Sequence, residues 1–169
     1  GEKLWEALRR EREGFRCAKM FWWYNMYSSA DWSVTPRPIY PADGRKIFDV
    51  YTHPPGLRDE LVGQLGEFPF PSFWGPRAGL PSSQWIADSA RWIEKEEEPD
   101  LNLVYLPHLD YGLQRWGPDA PEMEAEFEAI DRLVDELISF FVKRGVEVVL
   151  LSEYGISKVR KPVHLNRVF

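Results

Sequence analysis

The segment Pro121–Lys143 constrains the rest of the chain most. Met123, Phe127, Ile130, Val134, Leu137 and Phe141 recur at intervals of four, three, four, three and four residues, the spacing of one buried stripe on an α-helix. Pro121 suits the first helical turn and Gly145 the stop. Directly behind it comes Val146–Ser152, a short, β-rich run that is apolar on both faces. Continuous rather than alternating apolarity is what a parallel strand covered by helices on both sides requires. Leu101–Leu109 is a second such run ahead of the helix, so the three segments predict a βαβ unit. Phe15–Asn25 is a third predicted strand. Helix and strand alternating in this way predict an α/β fold, a mostly parallel sheet flanked by helices.

Three further helices fit that frame. Lys3–Glu13 carries Leu4, Trp5 and Leu8 on one side and stops at Gly14. Leu57–Leu65 repeats Leu every four residues between Pro54-Pro55-Gly56 and Gly66. Ser82–Glu97 opens on Ser82 or Ser83 as cap and buries Trp85, Ile86, Ala90 and Ile93. Residues 33–81 differ in being rich in Pro and aromatics. They hold a predicted hairpin, Pro38–Tyr40 with Ile47–Tyr51 around Asp43-Gly44, and read as an insertion or cap over one end of the sheet. The cluster Phe21-Trp22-Trp23-Tyr24, inside a predicted strand, is assigned to core packing. Its rival, a platform for stacking bases or sugars, would leave Trp22 and Trp23 exposed.

Composition removes several classes of function. The 169 residues suit one domain, residues 1–169, and carry a formal charge of −6 with a pI near 5.2. No basic stripe is present, which argues against a nucleic-acid partner. The longest uninterrupted apolar run, Met20–Tyr24, is far too short for a membrane span, and the charged start is unlike a signal peptide. The single cysteine, Cys17, excludes an internal disulfide and a multi-cysteine zinc motif. A cytoplasmic protein is expected. No Gly-rich phosphate loop, dinucleotide fingerprint, His-Glu-x-x-His helix or Gly-x-Ser-x-Gly elbow occurs.

Open α/β sheets bind ligands beyond the carboxyl ends of their strands. The predicted strand Leu101–Leu109 leads into Pro107-His108-Leu109-Asp110, and Val146–Ser152 into Ser152-Glu153-Tyr154-Gly155. Asp110 and Glu153 are therefore expected at one edge of the sheet. If the strand continues, His108 and Asp110, two residues apart, share a face. Carboxylates near a histidine can hold a divalent metal or work as an acid/base pair; alternatively both acids merely cap the turns that follow.

The spacing Asp110-x-x-x-Gln114-x-x-Gly117-Pro118 resembles the Asp-x-x-Gly-His-x-x-Gly-Pro signature of type I phosphodiesterase/nucleotide pyrophosphatases, of the alkaline phosphatase superfamily. Leu150-Leu151-Ser152-Glu153-Tyr154-Gly155-Ile156 resembles that family's Ser-Asp-His-Gly-Met segment. Further similarity to a bacterial branch runs through Phe21-Trp22-Trp23, Val34–Pro38, Ala42–Lys46, Tyr105–Asp110 and Pro162–Arg167. The resemblance implies an alkaline-phosphatase-like parallel α/β sheet and a hydrolase of phosphodiester or pyrophosphate bonds. Two metal ions, usually zinc, and a Thr or Ser nucleophile would serve it, on small phosphoester or nucleotide substrates.

Carried across by position, Asp110 matches a metal-binding Asp. Glu153 stands for a metal-binding Asp, while Gln114 and Tyr154 each stand for a metal-binding His. Losing both imidazoles shifts the expected preference towards Mg²⁺ or Mn²⁺, unless His108 or His164 supplies nitrogen. The resemblance also expects a first strand, a nucleophile and a further metal-binding Asp ahead of Phe15, and a last metal-binding His. No residue here matches them; Ser28, Ser29 and Thr35 follow a later strand. The chain is thus expected to be the central part of a domain whose first strand is missing, inactive by itself and prone to self-association through the open sheet edge. The alternative is a non-catalytic scaffold homologue that keeps a degenerate site and serves as a binding protein.

Overall fold

A computed structural model describes residues 1–167. Four short strands, β1 (Cys17–Met20), β2 (Trp32–Pro36), β3 (Val50–His53) and β4 (Leu101–Val104), form one sheet in the order β3-β2-β1-β4. The central strand β1 pairs parallel with β2 and with β4, and β3 closes one side antiparallel to β2. Side chains alternate across β1. Ala18 and Met20 face the larger core, while Cys17 packs on the opposite face with Trp5 and Ala30. Trp5 comes from α1 (Leu4–Glu11), which covers that second face. The larger core is closed by α2 (Leu57–Leu65), α3 (Leu80–Glu96) and α5 (Glu122–Lys143). Helices therefore flank the sheet on both sides, as the sequence predicts.

α3 carries most of this core. Ile86, Ala87, Ala90 and Ile93 are fully buried, and each buried Ile contributes about 1.5–3 kcal/mol through the apolar surface it removes from water. Pro81 stands in its first turn, and the cap is Gly79 rather than a serine. Ser82 and Ser83 are buried instead; Ser82 Oγ donates to the carbonyls of Ser72 and Gly79. Beside α3, Phe21, Phe68, Phe73 and Trp85 form an aromatic cluster with centroids 4.8–6.1 Å apart, mostly edge-to-face with Phe21 and Phe68 tilted, arrangements that ring quadrupoles favour over a face-to-face sandwich.

Several elements differ from the sequence expectations. The first strand ends at Met20, not Asn25, because Phe21 takes φ +59°, followed by Tyr24 at +51° and Tyr27 at +56°. That turn buries Phe21 but leaves Trp23 58% and Tyr24 88% exposed. The core-packing assignment therefore fails for Trp23 and Tyr24, and Trp22 is half-buried. The strand expected over Leu101–Leu109 ends at Val104, and a helix, α4 (His108–Trp116), begins four residues later. On α5 the stripe holds at Met123, Leu137 and Phe141, with Leu133 added, while Phe127 instead lines an open groove with Pro118 and Met123.

The largest correction concerns Val146–Ser152, which forms no strand. A strand exists only through a neighbour that accepts and donates its ladder bonds, and among the described residues β4 is bonded on one side alone, to β1. Of residues 33–81, Ser33–Pro36 of β2 and Val50–His53 belong to the sheet, and the hairpin between them is tied by two bonds between Ile39 and Ile47, of 2.8 and 2.9 Å. The rest of that stretch lies outside the sheet.

Candidate functional site

The carboxyl ends of β1 and β4 lie side by side because the two strands are parallel neighbours. Tyr105 follows β4 directly, and Trp23 sits in the turn after β1, with the two rings 5.9 Å apart. Lys19, fully buried on β1, holds that turn in place. Its ammonium donates to the carbonyls of Trp23 and Tyr24 at 3.3 and 3.2 Å and lies 4.5 Å from the centre of the Trp5 ring. Burial pulls its pKa below the ordinary lysine value.

Onto this corner the later chain brings Asp110, Glu153 and Tyr154. The Tyr154 hydroxyl donates to Asp110 Oδ1 at 2.5 Å, and Trp23 Nε1 reaches Glu153 Oε2 at 3.4 Å. The Tyr154 phenol is pushed far above its ordinary pKa, first by that hydrogen bond, then by burial and by the charge of Asp110. It is a neutral donor, not a phenolate. Burial also raises Tyr105, with the charges of Asp110 and Glu153 adding to it. Two carboxylates thus share a corner with two phenols and an indole.

The other expected site residues stand elsewhere. A helix turns 100° per residue, so starting α4 at His108 puts His108 and Asp110 about 200° apart. His108 is buried, with Nε2 2.8 Å from Glu126 Oε2 of α5. Gly112, on the same side of α4, packs on Met123: a Cβ there would lie 3.2 Å from its sulfur. Asp110 and Gln114 share the other side, where Gln114 is exposed. His164 is exposed near the C-terminus, and its carbonyl accepts from the amide of Arg167. Trp23 and Tyr105 are the members of this corner that sequence reasoning missed. Both fall inside the strands predicted over residues 15–25 and 101–109, and only the shorter observed strands place them past the strand ends.

These donors do not by themselves fit the two-zinc centre that the sequence resemblance implies. Among the described residues no three His, Cys, Asp or Glu side chains are grouped to hold a metal ion. Asp110 already accepts a hydrogen bond from the Tyr154 hydroxyl, and the His108 imidazole is turned to Glu126 instead.

Fold and corner together define a class: an α/β protein with a carboxylate pair beyond the carboxyl edge of parallel strands. The model of the family described as Type I phosphodiesterase / nucleotide pyrophosphatase matches residues 1–169. The chain belongs to that family, whose members are generally metal-dependent hydrolases. A Schizosaccharomyces pombe protein named as an uncharacterized pyrophosphatase/phosphodiesterase is 31% identical over 72 residues. Those residues cover 39% of this chain and 15% of the yeast protein's length, so the chain corresponds to a small part of that relative. No solved structure matches. No helix among the described residues is long and apolar enough to cross a membrane.

Proposed function

We propose that this chain is part of a hydrolase of phosphodiester or pyrophosphate bonds acting on small phosphoester or nucleotide substrates. Asp110 and Glu153 are the two oxygen ligands it contributes to a divalent-metal site. The observation that carries this is the meeting of Asp110 with the Glu153-Tyr154 pair, 44 residues apart in sequence at the Asp110–Tyr154 bond. The family match supports the reaction class. Gln114 shares a helix face with Asp110 and would line the approach; His108, turned to Glu126, and His164 stand away from it. Without imidazole the oxygen donors favour Mg²⁺ or Mn²⁺ over Zn²⁺.

The hydroxyl bonded to Asp110 is a phenol, not the aliphatic alcohol that the family uses as nucleophile. The 169 residues alone are therefore expected not to turn over a nitrophenyl phosphodiester with any of the three ions. Metal-dependent turnover by the purified chain would refute that. A second reading is favoured by the same bond: with Asp110 occupied by Tyr154, the site is degenerate and the protein a non-catalytic scaffold. Calorimetric titration with Zn²⁺, Mn²⁺ and Mg²⁺ separates the two. Binding of Mn²⁺ or Mg²⁺ that is lost in both Asp110→Asn and Glu153→Gln supports the hydrolase reading; no binding in a native polypeptide containing this chain supports the scaffold.

A further inference from the structure

We propose that Tyr154 is a displaceable internal occupant of Asp110: its hydroxyl holds the carboxylate oxygen that a divalent cation would take, so the two compete. Trp23 does the same, more weakly, at Glu153. The inference rests on the reading of Asp110 and Glu153 as metal ligands. It reverses the part that the sequence resemblance gives Tyr154, which is that of a ligand.

The two acids are partnered unlike others in the molecule. Asp31 is held by Arg9, Asp49 by Arg58 and Glu94 by Arg144. Among the described residues, neither Asp110 nor Glu153 pairs with a Lys, Arg or His. Lys19, beneath the same turn, is engaged by the Trp23 and Tyr24 carbonyls. What meets the acids instead is one uncharged donor each: the Tyr154 hydroxyl at 2.5 Å from Asp110 Oδ1, and the Trp23 indole N–H at 3.4 Å from Glu153 Oε2. Because Glu153 and Tyr154 are consecutive, the Tyr154 bond also draws the second carboxylate towards the first. Both charges act on the Tyr105 phenol between the strand ends.

Like charges gathered at one corner repel, and a neutral donor offsets that less than a cation does. The direction of the bond separates a competitor from a ligand. An ionised carboxylate only accepts, so the phenol turns its proton, not a lone pair, towards Asp110. A cation taking Asp110 Oδ1 must first break that bond. Its apparent affinity then falls by the fraction of molecules in which the oxygen is free. The hydroxyl can leave, because Tyr154 is half exposed and water can replace Asp110 as its partner. The Trp23 contact is longer and weaker, and it gives way more readily.

Calorimetric titration with Mn²⁺ tests this on the native polypeptide that contains the chain. Tyr154→Phe removes the hydroxyl and keeps the ring. It should tighten Mn²⁺ binding by about fivefold, the equilibrium equivalent of one solvent-screened bond to a carboxylate. Trp23→Phe should tighten it less, by about twofold, in keeping with its longer contact. Loss of a merely structural contact would instead weaken binding. Weaker binding in Tyr154→Phe would make Tyr154 a ligand or a scaffold of the site, and unchanged binding would show that the cation does not contest its bond. Either result overturns the proposal and leaves Asp110 and Glu153 as metal ligands. Binding confined to the Trp23→Phe/Tyr154→Phe double variant supports the proposal, since the two donors then close the site entirely. Absence of binding in both the parent and the double variant removes the metal ligands themselves, and the proposal with them.

Discussion

Asp110→Asn tests the bond that holds the candidate site together. The Tyr154 hydroxyl lies 2.5 Å from Asp110 Oδ1, a short bond to a carboxylate. Bonds of this kind are worth about 1.5–3 kcal/mol where water is excluded. Tyr154 is 52% exposed, and solvent screening reduces the figure to about 1 kcal/mol. Losing the bond should therefore lower the Tyr154 pKa back towards its ordinary value. Phenolate absorbance near 295 nm, as the difference between the parent chain and Tyr154→Phe, isolates this one group. Repeating the pair on the Asp110→Asn background gives the shift. Glu153→Gln should move it less, because Glu153 acts on Tyr154 only weakly and through charge.

The same bond carries a stability signature with a defined sign. A phenol whose pKa is raised by folding contributes stability that is complete below its unfolded value, about 10, and lost as pH rises through the folded value. The parent chain should therefore exceed Tyr154→Phe by about 1 kcal/mol at pH 7, and the gap should close progressively above about pH 10. An unchanged Tyr154 titration in Asp110→Asn would refute the assignment of Asp110 as the main cause.

Other expectations concern the frame around the site. Ile86→Ala and Ile93→Ala, both at fully buried positions, should each cost about 2–5 kcal/mol by urea unfolding. Gly112→Ala brings a Cβ to 3.2 Å from the Met123 sulfur. A thioether can swing aside and Ala gains about 1 kcal/mol of helix propensity, so the net change should stay within about 1 kcal/mol. The branched Gly112→Val should destabilise by about 1–3 kcal/mol through overpacking. Lys19→Met leaves the Trp23 and Tyr24 carbonyls without their donor. Part of that loss is offset by removing a buried ammonium, so a net cost of about 2 kcal/mol is expected. Faster amide exchange confined to residues 21–27 would accompany it, and unchanged exchange there would show that Lys19 does not hold the turn.

What the sequence made legible follows the reach of each signal. α2 and α3 were readable to within about two residues, because helix periodicity and, for α2, the flanking Pro54-Pro55-Gly56 and Gly66 are local. The end of β1 was not: Phe21 leaves the strand through a left-handed backbone angle that its aromatic side chain does nothing to announce. Val146–Ser152 was read as a strand and forms none, since pairing depends on a partner that no local pattern contains. Asp110 and Glu153 were singled out by topology, as residues past the ends of two apolar runs, and Tyr154 by the family resemblance. His108 was misplaced by the same logic. Two residues apart on a strand means one face, whereas on a helix it means about 200°. Starting α4 at His108 therefore sent the imidazole to Glu126 and left Asp110 to a tyrosine. The chemistry available to this corner was decided at the point where the period changes from two to 3.6, which makes the boundary between β4 and α4 the feature on which any reading of the site depends.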